Sequence, residues 1–210
     1  MSQAVEYDYV VVGAGTAGSV PASRLSEDGG ARVLLLEAGG PHVPEAMPVP
    51  PAWPRLPGTS SDWGDRTTEQ ASTGTSVALA RGRGLGGSSA INAMVFTRGH
   101  RSAYDAIGRA RALDGWRGEE VLPGVDVDDD AAVAAYLRRG LASYFHPVGT
   151  CRLGTGEGAV VDEELKVRGI DGLRVADASV MPSIVSGNTN ATVYAIAGRA
   201  AELVSRKGAW

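Results

Sequence analysis

Three short stretches of this sequence carry residue types whose spacing could do chemistry. The first is Gly13-Ala14-Gly15-Thr16-Ala17-Gly18, which directly follows a β-branched run, with Glu37 closing a second apolar run. Alone, a glycine string of this kind is weak evidence and reads equally as a bland turn. Between a strand and a helix, each part has a task. Gly13 permits a tight turn, Gly15 lets backbone N–H groups approach a pyrophosphate, and Gly18 lets helix and strand pack closely. The helix start adds partial positive charge, and the Glu37 carboxylate can accept bonds from the hydroxyls of an adenosine ribose.

The second stretch runs from Gly82 through Arg83, Gly84, Leu85, Gly86, Gly87, Ser88, Ser89, Ala90 and Ile91 to Asn92, with Phe96, Gly99 and Asp105 beyond it. Its glycines and serines offer closely spaced donors suited to a second anion or a ring edge. A flexible surface loop would look similar, but the apolar run Ala93-Met94-Val95-Phe96 follows at once. The third is His146, in Tyr144-Phe145-His146-Pro147-Val148-Gly149-Thr150. A lone histidine is more often structural; a neutral imidazole can also take a proton near physiological pH. In Gly187-Asn188-Thr189-Asn190, the asparagines suit helix capping.

The elements that must position these groups follow from local pattern. Residues 8–12 and 32–36 read as short buried strands around a helix over 16–28 that buries Leu25 and ends at Gly29-Gly30. This is the strand–helix–strand crossover of a parallel sheet. Pro21 jars, because it lies where a missing N–H begins to matter. The proline-rich stretch 41–57 predicts an extended loop or lid, neither helix nor strand. Residues 107–116 could form a short helix leading into a turn at Pro123-Gly124. Asp128–Asp130 read as a helix cap, residues 173–179 as a strand entering a turn, and Thr192–Ser205 as a helix. That last helix places Val193, Ile196, Ala197, Ala200, Leu203 and Val204 on one face.

Composition narrows the partners. A net charge of -4 and a pI near 5.4 argue against nucleic acid or an anionic membrane, and the local arginines Arg81, Arg83 and Arg98 do not reverse that. No apolar run approaches the roughly 18 residues of a membrane span. The opening residues lack the basic region and cleavage site of a secretory signal. One cysteine, Cys151, excludes an internal disulfide and fits a reducing cytoplasm. No spacing suggests a metal site.

The string from Gly82 to Asp105 resembles, along its whole length, the first signature of the glucose–methanol–choline (GMC) family of FAD-dependent oxidoreductases. The opening glycine motif, Asp62-Trp63-Gly64, residues 145–154 and residues 173–182 look like further family landmarks in the same order. The resemblance implies an α/β, Rossmann-like FAD-binding domain with a parallel central sheet. It implies one domain over 1–210: an N-terminal part to 105, a junction at 106–124 and a C-terminal part from 125. By that likeness His146 sits over flavin N5 and takes the hydroxyl proton of an alcohol while hydride moves to N5. Asn188, where the family carries His or Asn, orients the substrate oxygen or stabilises developing alkoxide. A helix starting near Asn190 aims its positive end at the flavin pyrimidine edge, and Asp177 contacts the ribityl or pyrophosphate region. Ala38, Trp63, Arg83, Gly86, Gly87, Ser88, Asn92, Ala93, Met94, Val95, Ala178, Thr189 and Thr192 complete the implied FAD contacts.

The sequence departs from the family in two ways. Ile91 stands where some members attach FAD through His, so the implied FAD is non-covalent. The family's middle, with its substrate-binding domain and second signature, is largely absent, and the missing block falls between Tyr104 and Trp116. Removing it opens the flavin face to water and weakens substrate positioning. The expected activity is oxidation of a small alcohol, with electrons passed to an acceptor. The alternative is a minimal flavin-binding scaffold with little specific catalysis; a non-redox lyase ranks below both, and a purely interacting protein last. A homodimer is plausible, because the deletion bares apolar surface.

Overall fold

The computed structural model describes residues 5–71, 73–95, 143 and 145–205. The chain divides into two compact units, Met1–Gly64 with Ala80–Phe96 and His146–Trp210, and Asp65–Leu79 with Thr97–Phe145. Phe96, Arg98, Gly99, Asp105, the junction at 106–124, the helices expected near 107–116 and after Asp128–Asp130, and Tyr144 lie outside the described residues.

The larger unit opens with β1 (Tyr9–Val12), α1 (Thr16–Leu25) and β2 (Val33–Leu36). β1 and β2 pair in parallel, Tyr9 against Val33 through Val12 against Leu36, as the crossover requires. Within the described residues this parallel sheet has two strands. The strands read as buried, yet Val10, Val12, Leu35 and Leu36 are exposed, Val12 by 81%. The cause is coverage. Val11 packs under Gly18 of α1, so its neighbours Val10 and Val12 point to the opposite face. A parallel strand is buried only where both faces are covered.

The helix α1 stops at Leu25, short of the expected 28, and does bury Leu25. Ser26 turns its hydroxyl back on the Ala22 carbonyl at 2.7 Å, and Asp28 accepts from the Gly30 amide. Such local bonds compete with further helical turns. Pro21 is accommodated inside the helix and buried.

The terminal helix α2 (Thr189–Ser205) starts three residues earlier than its apolar pattern announces. It buries Val193, Ala197, Ala200, Ala201 and Leu203, and packs against α1. Its Ala200 and Leu203 join Val161, Leu165 and Val180 in the main core, with Ile196 against the edge. Residues 173–179 form no strand. One bridge joins Arg174 to Lys166, and then Asp177 accepts bonds from the amide and hydroxyl of Ser179 to open a 3₁₀ turn at Ala178–Val180. The proline-rich stretch also differs from expectation, because Pro50–Arg55 form a 3₁₀ helix. Proline's fixed φ suits its first turn, and the turn delivers Leu56 into a second core with Ala46 and Ile91. In the smaller unit, β3 (Asp65–Arg66) and β4 (Ala78–Leu79) pair antiparallel.

Gly18→Ala separates packing from propensity. Helix propensity alone favours alanine by about 1 kcal/mol. A Cβ at residue 18 would overlap the Gly13 carbonyl oxygen, whereas one at Gly29 meets nothing within 4 Å. Gly18→Ala is therefore expected to lower stability by about 1–3 kcal/mol, and Gly29→Ala to change it by no more than about 0.5 kcal/mol. Thermal or urea unfolding checks both.

Candidate functional site

The glycine turn between β1 and α1 is built as its spacing implies. Gly13 adopts φ +93°, and its amide donates to the Leu36 carbonyl at 2.7 Å. Gly18 lies against the Gly13 carbonyl, so helix and strand meet with no room for a side chain. Gly15 caps α1 without a side-chain hydrogen bond, which leaves the first turn at Thr16, Ala17 and Gly18 uncapped by any side chain.

The Gly–Ser loop docks directly on this turn. The Gly86 amide donates to the Ala14 carbonyl at 2.8 Å, and Gly15 and Gly86 form a parallel bridge. A Cβ on Gly87 would lie 2.8 Å from the Gly15 Cα, and one on Gly39 would overlap the Gly84 backbone. Within the loop the Ser88 hydroxyl accepts from the Gly82 amide, and Ser89 donates to the Gly86 carbonyl. Asn92 accepts the Met94 amide at 2.8 Å, while Met94 and Val95 are exposed and Ala93 is half-buried. Ile91 is buried with Ala46 and Leu56.

Glu37 is joined to this assembly. Its two oxygens accept the Ala14 and Gly39 amides, each at 2.7 Å. The turn also meets the start of α2, where the Thr16 hydroxyl donates to Asn190 Oδ1 at 3.0 Å. Two helix N-termini with their partial positive charge therefore converge on the glycine turn. Thr189 and Thr192 lie in that same first stretch of α2, half-buried. A turn of backbone donors, side-chain-free at its contact points and flanked by two helix starts, fits a pyrophosphate-bearing dinucleotide.

The remaining expected residues divide between the Trp63 ring and the segments around positions 146 and 188. Arg83 stacks on the half-exposed Trp63 ring at 5.2 Å, and Arg81 lies 6.0 Å from the same ring. His146 and Asn188 are both half-buried, and both are engaged by neighbours. Backbone pairing ties the segment after His146 to the one before Asn188. The Cys151 amide donates to the Ser179 carbonyl at 3.0 Å, and the Leu153 amide to that of Val180 at 2.9 Å. Asp177 is exposed and spends its carboxylate on Ser179, and Ala178 is half-buried beside it.

Sequence reasoning missed Asp62 as an anchor. Its carboxylate accepts the amides of Gly58, Gly64 and Arg81, while buried Ser61 accepts the Arg83 amide. The signal was present, since an Asp beside Trp-Gly is a common start for a side-chain-bonded turn. Among the described residues no group of three His, Cys, Asp or Glu could hold a metal, and no helix is long and apolar enough to cross a membrane.

Glu37 and Asp62 are both held below their ordinary values of 4.5 and 3.8. In each, burial is the largest single influence and pulls upward, but the backbone amides together outweigh it. A carboxyl that binds protons less tightly when folded stabilises fully above its unfolded value, and this is lost as pH falls through the lower folded one. The melting temperature should therefore drop as pH is taken from about 5 to about 3. Asp62→Asn should flatten that profile, and an unchanged profile would contradict this account.

Comparison with known proteins bears on the family. The GMC oxidoreductase family model matches residues 88–197, more than half of the chain. Pyridoxine 4-oxidase of Microbacterium luteolum is 43% identical over 127 residues, covering 60% of this chain and 25% of that protein. The oxygen-dependent choline dehydrogenase of Escherichia coli O45:K1 (strain S88) is 46% identical over 98 residues, 47% of this chain and 17% of that one. These matches take in a quarter or less of the curated relatives' length. The crystal structure of pyridoxine 4-oxidase from "Mesorbium loti" superposes with a TM-score of 0.77 at 18% identity, covering 94% of this chain and 99% of that chain, which shows a shared α/β fold. With glycine turn, Gly–Ser loop and histidine segment all in place, the chain belongs to the GMC oxidoreductases, a family of FAD-dependent flavoproteins.

Proposed function

We propose that the chain holds FAD non-covalently in a Rossmann-like site and oxidises the CH–OH group of a small alcohol. The observation that carries the reading is the Thr16–Asn190 bond at 3.0 Å, which joins the uncapped start of α1 to the start of α2. The start of α1 would hold the pyrophosphate of FAD, and the start of α2 would favour negative charge on the flavin's pyrimidine edge. The cofactor contacts are those expected from the sequence, with Trp63 and Arg83 beside the Gly–Ser loop. When bound, FAD supplies a hydride acceptor at flavin N5. His146 would take the hydroxyl proton as the carbinol C–H bond breaks and its hydride passes to the flavin, and the alcohol leaves as a carbonyl compound. Asn188 donates from its side-chain amide to the substrate oxygen, holding it without titrating. Ile91 offers no nucleophile for attachment, which supports non-covalent binding.

A small alcohol and an electron acceptor are the proposed partners, the cytoplasm the proposed compartment and a homodimer the proposed assembly. A second reading, a flavin scaffold with slow and unselective chemistry, is favoured by one specific observation. The apolar face carrying Val10 and Val12 is open to solvent, so the sheet lacks the cover on that face that a complete fold of this class would give it.

The purified chain should be yellow, releasing its flavin on denaturation, and should reduce a dye in an alcohol-dependent way. His146→Ala should cut that rate by about 10²–10⁴-fold while flavin stays bound. A colourless protein that takes up no FAD removes the whole reading. Bound flavin with turnover indifferent to His146→Ala leaves the scaffold.

A further inference from the structure

The proline-rich stretch after β2 lines a cavity of about 170 Å³ with Met47, Val49, Trp53 and Leu56. Ser89, Asn92 and Met94, from the Gly–Ser loop and the residues that follow it, line it as well. Local bonds hold both segments. The Leu56 amide donates to the Trp53 carbonyl at 3.0 Å, and the Leu56 side chain, 2% exposed, anchors the stretch in the core with Ala46 and Ile91. Met94 takes a left-handed backbone, φ +53°, which a bulky residue rarely adopts. Asn92 Oδ1 holds it there by accepting the Met94 amide at 2.8 Å. Backbone outliers of this kind cluster at ligand sites.

The lining defines the occupant. No Asp, Glu, Lys or Arg is part of it, so a charged group would lose its hydration without gaining a partner. A sugar would bring several hydroxyls to two polar side chains. Asn92 Oδ1 is engaged by the backbone, which leaves Nδ2 as a donor. The Ser89 hydroxyl donates to the Gly86 carbonyl at 2.7 Å, which leaves its oxygen as an acceptor. The rest is aliphatic, thioether and indole, surfaces that favour an aromatic ring. An apolar cavity of about 150 Å³ takes benzene, so this one has room for one ring and its first substituent.

We propose that this cavity is a site for a single uncharged aromatic ring. Resting on the flavin reading above, the ring is that of an arylmethanol substrate. Asn92 and Met94 are also expected flavin contacts, so in that reading the cavity adjoins the cofactor.

Methionine-methyl NMR of the full chain gives the test, because Met47 and Met94 line the cavity while buried Met181 does not. Without FAD, benzyl alcohol should shift Met47 and Met94 saturably and leave Met181 still, and choline and glucose should shift neither. Val49→Phe, at a half-exposed position, fills the cavity and should weaken benzyl alcohol by about tenfold or more, with Met181 as the check on the fold. Silent Met47 and Met94, or equal shifts with choline, would overturn the proposal. With FAD saturating, benzyl alcohol should still shift Met47; its displacement would mean that the cavity belongs to the flavin and overturn the substrate assignment. In turnover, Val49→Phe should lower kcat/KM for benzyl alcohol relative to ethanol by about tenfold, chiefly through KM, and an unchanged ratio would count equally against that assignment. Should the chain take up no FAD, the flavin reading fails, and the titration without FAD still decides the ring site.

Discussion

Backbone meets backbone in this site, and that close approach governs the rest. Where Gly18 lies on the Gly13 carbonyl, Gly39 on Gly84 and Gly82 on Gly87, there is no space for even one added carbon. The same closeness removes side-chain packing as a means of holding the loops, and glycine brings extra conformational entropy to be overcome. Hydrogen bonding to backbone amides must supply the order. Two carboxylates do so, Glu37 around the first turn and Asp62 around the loop that feeds Arg81 to Arg83. Both are pulled below their ordinary pKa, because the amides that order the loops also stabilise the charge.

This arrangement links shape to electrostatics. Because the glycine turn is tight, α1 begins at Thr16 with its first amides uncapped by side chains, and because α2 begins beside it, Thr16 can reach Asn190. In the proposed reading, two weak helix-end charges become one site for a diphosphate at one end and a reducible ring at the other. His146 and Asn188 are reached from the same framework, through the backbone pairing of residues 151 and 153 with 179 and 180. Val180, whose carbonyl takes part in that pairing, belongs to the core with Val161, Leu165, Ala200 and Leu203, so apolar packing supports the backbone that carries both segments.

What could be read from the sequence was what is decided locally. The glycine spacing gave the turn, and the i, i+3, i+4 pattern gave the buried face of α2, because both depend on residues within a few positions. Exposure of β1 and β2 was not readable from DYVVV and RVLLL. Those strings say that a strand prefers burial, while the covering layer must come from elsewhere in the fold. Residues 173–179 have strand composition, but Asp177 bonds its own neighbour and turns the chain. The 3₁₀ helix at Pro50–Arg55 was hidden because proline reads as a breaker, though it is compatible with a first turn. Glu37 was legible as an acceptor; its partners were not, because they are backbone amides of alanine and glycine, which leave no trace in residue type.

The central claim, that FAD sets its diphosphate at the start of α1 and its flavin's pyrimidine edge at the start of α2, the two joined at Thr16 and Asn190, is tested most directly by residue-resolved NMR of the full chain during FAD titration. The account predicts that the largest amide shifts fall on Thr16, Ala17 and Gly18 and on Thr189, Asn190 and Ala191, saturating together. Saturable FAD binding whose shifts leave both helix starts untouched would contradict it.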